Sequence, residues 1–245
     1  MKEESMNRKV LITGASRGIG REIAISFAGN KDNLVLCCRN NIDDLKALAV
    51  ELSEKYGIMC EAYACDVSDP DSVKELYDKA GDVDVIVNNA GVAHIGLLTD
   101  MDVTDWKSIT GTNLDSLFYT SKFFVPGMIR AGSGRIINIS SVWGAVGASC
   151  EVAYSASKGG VNALTRALAK ELAPSGISVN AVSCGVIDTD MNRKHLSDED
   201  LEELCEEIPM GRMGEAEEVA SLVLMVSQAP IYMTGQVITI DGGWL

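Results

Sequence analysis

The sequence predicts a single α/β domain in which a parallel sheet is covered by helices on both faces. Three observations carry that prediction. Seven short apolar runs of strand type, at 9–12, 34–38, 59–64, 83–87, 135–139, 177–182 and 236–240, alternate with stretches of helical length. Runs such as Val10-Leu11-Ile12 and Leu34-Val35-Leu36-Cys37-Cys38 are apolar at successive positions, as strands buried on both faces must be. No linker, composition shift, internal repeat or low-complexity tract divides the 245 residues, a length that can bury one large core.

The first run leads into Thr13-Gly14-Ala15-Ser16-Arg17-Gly18-Ile19-Gly20, after which Ile23, Ala24 and Phe27 recur at helical spacing. Glycines at such a strand-to-helix turn let the backbone bend sharply and let a pyrophosphate approach the free amides of the helix start. The spacing Gly-x3-Gly-x-Gly differs from the tighter dinucleotide fingerprint, so a merely connecting turn stays open as the alternative. The second run ends at Arg39. An acidic residue there would bond the two ribose hydroxyls of NAD, whereas an arginine can pair with a 2′-phosphate. Arg17 could supply a second cation, and the cofactor expected is NADPH in preference to NADH; a solvated loop arginine is the plain alternative. The third run closes at Asp66, which could reach an adenine edge or could simply be a turn residue before Ser68-Asp69-Pro70.

The fourth run leads to Asn88-Asn89-Ala90-Gly91 and the fifth to Ser140-Ser141. Tyr154 and Lys158 follow, four residues apart and so on one face of a helix. A phenol beside a fixed ammonium deprotonates more easily, which makes the pair a candidate proton donor and acceptor for a carbonyl or alcohol. The sixth run precedes Cys184-Gly185. Then Asp198-Glu199-Asp200 with Glu202, Glu203, Glu206 and Glu207, and Leu201, Leu204, Cys205 and Ile208, describe a helix with one apolar and one acidic face. The seventh run ends at Asp241-Gly242-Gly243.

The formal charge of -14 argues against nucleic acid as a partner. No membrane-length apolar stretch and no signal-peptide pattern are present, so a cytoplasmic enzyme is expected, with Met1-Lys2-Glu3-Glu4-Ser5 a frayed start and Met6 a possible second initiator. Seven cysteines without paired spacing fit a reducing compartment better than a disulfide framework. With only His94 and His195, which read as loop or pocket-lining residues, no metal site is expected.

Taken together, Thr13-Gly14-x3-Gly18-x-Gly20, Asn88-Asn89-Ala90-Gly91, Ser141, Tyr154-x3-Lys158 and Asp241-Gly242-Gly243 resemble the short-chain dehydrogenase/reductase family, most closely its 3-oxoacyl-[acyl-carrier-protein] reductase branch. The resemblance runs from about residue 8 to the last residue. It implies a Rossmann-type doubly wound sheet of seven parallel strands ordered 3-2-1-4-5-6-7, and a homotetramer. It implies a catalytic tetrad: Tyr154 exchanging the proton, Lys158 lowering the tyrosine pKa and holding the nicotinamide ribose, Ser141 bonding the carbonyl, and Asn113 helping a water connect Lys158 to solvent. It carries cofactor contacts onto Gly14, Ser16, Arg17, Gly18, Ile19, Gly20, Arg39, Asp66, Val67, Asn89, Ala90, Gly91, Tyr154, Lys158, Gly185, Ile187 and Thr189, with Met191 in the same segment and Asn88 as structural support. Residues from about 189 to 212 would form a substrate lid.

The activity implied is NADPH-dependent reduction of a 3-oxoacyl thioester to the 3-hydroxyacyl form. A hydroxysteroid or other secondary-alcohol dehydrogenase, and a catalytically silent binding subunit, are the alternatives. Three positions depart from the pattern. Cys184-Gly185 replaces Pro-Gly and would loosen that turn. Gly132 and Ser175 stand where arginines near the active-site entrance would dock an acidic carrier protein, with Arg130 as a substitute, so carrier docking is left uncertain. Val92-Ala93-His94-Ile95-Gly96 and 144–150 would line a small apolar pocket accepting a carbonyl compound or an acyl thioester.

Overall fold

The structure is a computed structural model that describes residues 7–193 and 198–245. The expected readings of Met1 to Met6 and of His195 lie outside the described residues. Strands β1 (Lys9–Thr13), β2 (Asn33–Cys38), β3 (Cys60–Ala64), β4 (Val85–Asn88), β5 (Gly134–Ser141), β6 (Ile177–Cys184) and β7 (Val237–Ile240) each fall on one of the apolar runs. They form one parallel sheet in the order β3-β2-β1-β4-β5-β6-β7. The central strands are buried along nearly their whole length. The two edge strands, β3 and β7, are half-exposed, and β3 carries Glu61 and Tyr63 where the centre carries valine and isoleucine.

Alternation along the strands builds two cores. Val10 and Ile12 face α1 (Gly18–Gly29), α2 (Ile42–Tyr56) and α10 (Ala216–Gln228), through Phe27, Leu45 and Val223. Leu11 faces the other way, onto α3 (Pro70–Ala80), α5 (Ser116–Ala131) and α7 (Val152–Leu172), through Leu76, Phe124 and Leu172. Helix α3 starts where its sequence says it should: Pro70 occupies the first turn and Asp69 caps it, accepting from the Asp71 amide at 3.1 Å. Helix α10 starts on a reciprocal capping box between Glu215 and Glu218.

Between α4 (Val103–Thr110) and α5 the chain makes one π turn, Gly111–Asp115, rather than breaking. The extra residue in that turn swings Asn113 inward, and the Asn113 side chain is almost wholly buried. Four buried polar side chains tie α5, β4, β5 and α7 together: Thr120 Oγ1 donates to Asn88 Oδ1, Asn88 Nδ2 to Asn138 Oδ1, and Asn138 Nδ2 to Thr165 Oγ1, each at 2.9 Å.

Every strand end that bears a predicted site residue, from β1 to β6, opens toward the same edge of the sheet. That edge carries the cleft.

Candidate active site

All the predicted cofactor residues line one continuous cleft along the carboxyl ends of the strands, together with Ser141. At one end of the cleft, where adenosine is expected, the chain leaves β1 through Gly14 and Gly18, both in the left-handed region at φ 67° and 53°. A Cβ on Gly20 would sit 2.2 Å from the Gly14 carbonyl oxygen, so the turn closes only without one. Asn89 braces it: its Nδ2 donates to the Thr13 and Gly14 carbonyls at 3.0 and 3.1 Å. The Asn89 and Ala90 amides both donate to Thr13 Oγ1.

Helix α1 has no side-chain cap at Arg17, so its first amides are left for an anion. These uncapped amides, the glycine floor and the exposed Arg17 and Arg39 fit a phosphorylated dinucleotide. Each arginine meets a carboxylate: Arg39 lies 3.8 Å from Asp66, and Arg17 lies 4.0 Å from Asp190, the first residue of α8 (Asp190–Arg193). Asp66 is not a free adenine acceptor on both oxygens, because its Oδ1 takes the Ser68 amide and hydroxyl. Burial opposes its charge, but the Ser68 bonds and Arg39 outweigh that and hold the carboxyl below its usual value. Thr189 faces Gly18 across the cleft, its methyl 3.6 Å from where a Gly18 Cβ would lie. Ile187 pairs with Gly214 in an isolated bridge, which anchors the backbone of that segment.

At the other end, β5 delivers Ser141 and α7 delivers Tyr154 and Lys158. Ser141 hydrogen-bonds the Tyr154 hydroxyl and accepts the Trp143 amide at 3.2 Å. Lys158 is buried, its Nζ donating to the Ile139 carbonyl at 2.8 Å and lying 5.6 Å from the centre of the Tyr154 ring. Burial pulls the lysine down to about 8, with the neighbouring Cys184 opposing that. Tyr154 moves the other way. Burial around its oxygen raises it, Cys184 adds to that, and the Ser141 bond only partly offsets them. The expected lowering of the tyrosine by Lys158 is therefore corrected: the ammonium is committed to a carbonyl, and the phenol keeps its proton at neutral pH.

Asn113 does not line the cleft. Its side chain receives the Val92 amide at 2.8 Å and donates to the Val92 carbonyl at 2.9 Å and to Ser157 Oγ at 3.1 Å. That leaves it bracing the wall, with Gly91 between it and Lys158 Nζ. The pocket expectation also needs correcting. Val92 and Ala93 line the cleft, but 144–150 does not: α6 (Trp143–Val146) packs against α7, where a Cβ on Gly144 would meet the Lys158 backbone at 2.7 Å. His94 turns back onto Gly96. The lining in their place is Trp143, Glu151 and Trp244, which sequence reading missed. Trp244 arrives because Asp241 bonds the Gly243 and Leu245 amides and curls the chain end inward.

Cys184 does not loosen its turn. It is a ladder residue between Ser141 and Ile240, its carbonyl accepts the Val142 amide at 3.0 Å, and Gly185 donates to the Ile240 carbonyl at 2.8 Å. Gly132 and Ser175 lie beside the starts of β5 and β6, at the sheet edge opposite Ser141, so within one chain they are not at the cleft entrance. Arg130 is engaged with Asp82 at 3.0 Å. Beyond the cleft, α9 (Asp198–Glu207) turns Leu201 inward and its glutamates to solvent. Among the described residues no metal-type cluster occurs, and no helix is long and apolar enough to cross a membrane.

Comparison with known proteins agrees with this geometry. The short chain dehydrogenase family matches residues 8–200. An uncharacterized oxidoreductase of Bacillus subtilis, YmfI, is 40% identical over 98% of this chain and 99% of its own length. The 3-oxoacyl-[acyl-carrier-protein] reductase FabG of Staphylococcus epidermidis is 40% identical, covering 97% of this chain and 99% of the relative. A crystal structure from Beutenbergia cavernae, provisionally described as an NAD(P)-dependent gluconate 5-dehydrogenase with NADP bound at low occupancy, superposes with a TM-score of 0.90 at 34% identity over 98% of both chains. The glycine turn, the Ser141–Tyr154–Lys158 cluster and these whole-length similarities place the chain in the short-chain dehydrogenase family.

Proposed function

We propose that this protein reduces a 3-oxoacyl thioester to the 3-hydroxyacyl form with NADPH. The observation that carries the reading is a tyrosine hydroxyl bonded to Ser141 at the far end of a cleft whose near end is an arginine-flanked anion cradle. The FabG relatives support the substrate class, and the NADP in the Beutenbergia cavernae structure supports the cofactor.

The cofactor, when bound, supplies hydride to the carbonyl carbon. Gly14, Gly18 and the first amides of α1 would hold its pyrophosphate, Arg39 with Arg17 the 2′-phosphate, and Thr189 and Ile187 would flank the nicotinamide side. Ser141 Oγ and the Tyr154 hydroxyl both aim at the substrate oxygen. They stabilise the negative charge that grows there, which is stronger help in the transition state than in the ground state. Tyr154 then gives up its proton to that oxygen as a general acid. Lys158 stays behind the ring and, through the Ile139 carbonyl, fixes β5 against α7 while its charge faces the tyrosine. Asn113 holds Val92 in place and would leave its backbone to any water relay from Lys158. The segment at about 189–212, with α8 and α9, belongs to the same proposal as a lid that excludes water from the transfer.

A homotetramer fits the exposed Val103, Trp106 and Phe118 on the α4–α5 face, and a cytoplasmic place fits seven free cysteines. Carrier docking would need a second copy to bring Gly132 and Ser175 near a cleft. The test is the initial rate of NADPH oxidation with acetoacetyl-carrier protein beside S-acetoacetyl-N-acetylcysteamine. Reduction of the small thioester is expected. Inactivity on both, with turnover of a secondary alcohol and NADP, would replace the reading by an alcohol dehydrogenase.

A further inference from the structure

We infer that Trp143, Glu151 and Trp244 form a selecting wall on the substrate side, which admits carbonyl compounds that are neutral around the reacting carbon and turns away those bearing a carboxylate or phosphate there. The inference rests on the reading of Tyr154 as the proton donor.

The wall is built by local geometry. Trp143 follows Ser141 by two residues, and its indole meets that of Trp244 edge-on, with ring centres 5.0 Å apart and planes at 65°. Glu151 stands three residues before Tyr154, immediately ahead of α7, and its carboxylate accepts a side-chain hydrogen bond from Trp143. All three line the cleft with Tyr154 and Ser141. Glu151 is half-buried, and burial raises its carboxyl. Its charge is felt at the Tyr154 oxygen, so it will be felt by a substrate oxygen held there.

Among the cleft-lining residues the positive groups are Arg17 and Arg39, at the adenosine end, and Lys158, whose Nζ is bonded to Ile139 behind the tyrosine. A substrate anion would thus face a carboxylate across a partly dry gap, with no cation but the carbonyl-bound Lys158 among the described lining residues at that end, and like charges in such a place discriminate strongly. A neutral substrate meets something different. The indole faces cover methylene groups, and the remaining Glu151 lone pairs can accept an amide N–H or a hydroxyl. A thioester arm carrying amides has both features.

The test compares kcat/KM for neutral S-acetoacetyl-N-acetylcysteamine and for acetoacetate with NADPH. In Glu151→Gln the neutral-to-anion ratio should fall by about tenfold. Trp143→Phe, which releases the carboxylate from its hydrogen bond, should move the ratio the same way by less. A ratio unchanged within about twofold in both variants, on the same like-charge argument, would overturn the inference. A wild-type protein that reduces neither compound would instead refute the thioester reading. The wall is then read without turnover, in a Trp106→Phe background that leaves Trp143 and Trp244 as the two indoles. Quenching by methyl acetoacetate but not by acetoacetate, with acetoacetate binding gained in Glu151→Gln, supports it; equal binding of the two in both proteins overturns it.

Discussion

The two ends of the cleft solve opposite problems. At the adenosine end the charged groups are exposed: Arg17 and Arg39 stand in solvent, each loosely paired with a carboxylate at 4.0 and 3.8 Å. At the chemical end Lys158 is buried and Tyr154 is only partly exposed, and neither meets an opposite charge. Exposed charges act by exchange, giving up a carboxylate to take a phosphate. Buried ones are retuned by their surroundings. Burial draws Lys158 down to about 8 and drives Tyr154 up, so the two move toward their neutral forms. On the proposed reading, recognition falls to screened, replaceable ion pairs, and proton delivery to groups whose surroundings set their charge.

The strongest way to break this contrast is Tyr154→Phe. Losing the proposed general acid should lower kcat by about 10²- to 10⁴-fold while NADPH binding, set at the other end, persists. Stopped-flow turnover with a fluorescence titration of NADPH separates the two. Full turnover would remove Tyr154 as the donor. Arg39→Asp tests the exposed end. NADPH affinity should fall by about 10- to 100-fold and NADH affinity much less, since only one of them offers a phosphate to the lost guanidinium; equal losses would mean that Arg39 reads no phosphate.

The pH profile sharpens the comparison next. Lys158 carries its charge below about pH 8 and loses it above, so kcat/KM for reduction should decline on the alkaline side with a midpoint near that value. A flat profile up to pH 10 would show that the lysine charge is not used. The smallest effect belongs to Asp190→Asn. Freeing Arg17 from an exposed pair should tighten NADPH by about two- to threefold at low salt, fading as salt is added. Isothermal titration at two ionic strengths reads it.

The fold was legible because strand and helix write different periods, and because a parallel sheet makes its strands apolar on both sides. All seven strands lie on the expected runs, although β4 begins at Val85 and extends to Asn88, where a buried hydrogen bond replaces the expected turn. The glycine turn and the Tyr154–Lys158 spacing were legible too, because each is local. What could not be read was long-range. Lys158 could have faced the phenol oxygen, and only the fold shows it bound to Ile139. Asn113 is drawn in by a π turn that no periodicity marks. Trp244 comes from a segment distant in the chain from Trp143 and Glu151, and the signal available, two tryptophans in a sequence with only three, gave no hint that they meet.

The chain of amides and hydroxyls from Thr120 through Asn88 and Asn138 to Thr165 also has a consequence for how the protein assembles. Asn88 and Asn138 sit opposite each other on adjacent strands. Hydrophobic side chains would tolerate β5 sliding against β4 by two residues, since the same face would still be covered. The amides would not. Such a slip strands several dry polar groups at about 1–3 kcal/mol each, so a misaligned centre is unstable even when its core is greasy enough. The four side chains act as a proofreading lock on strand alignment. Ser141, three residues along the same strand from Asn138, arrives at the tyrosine only in the alignment they permit.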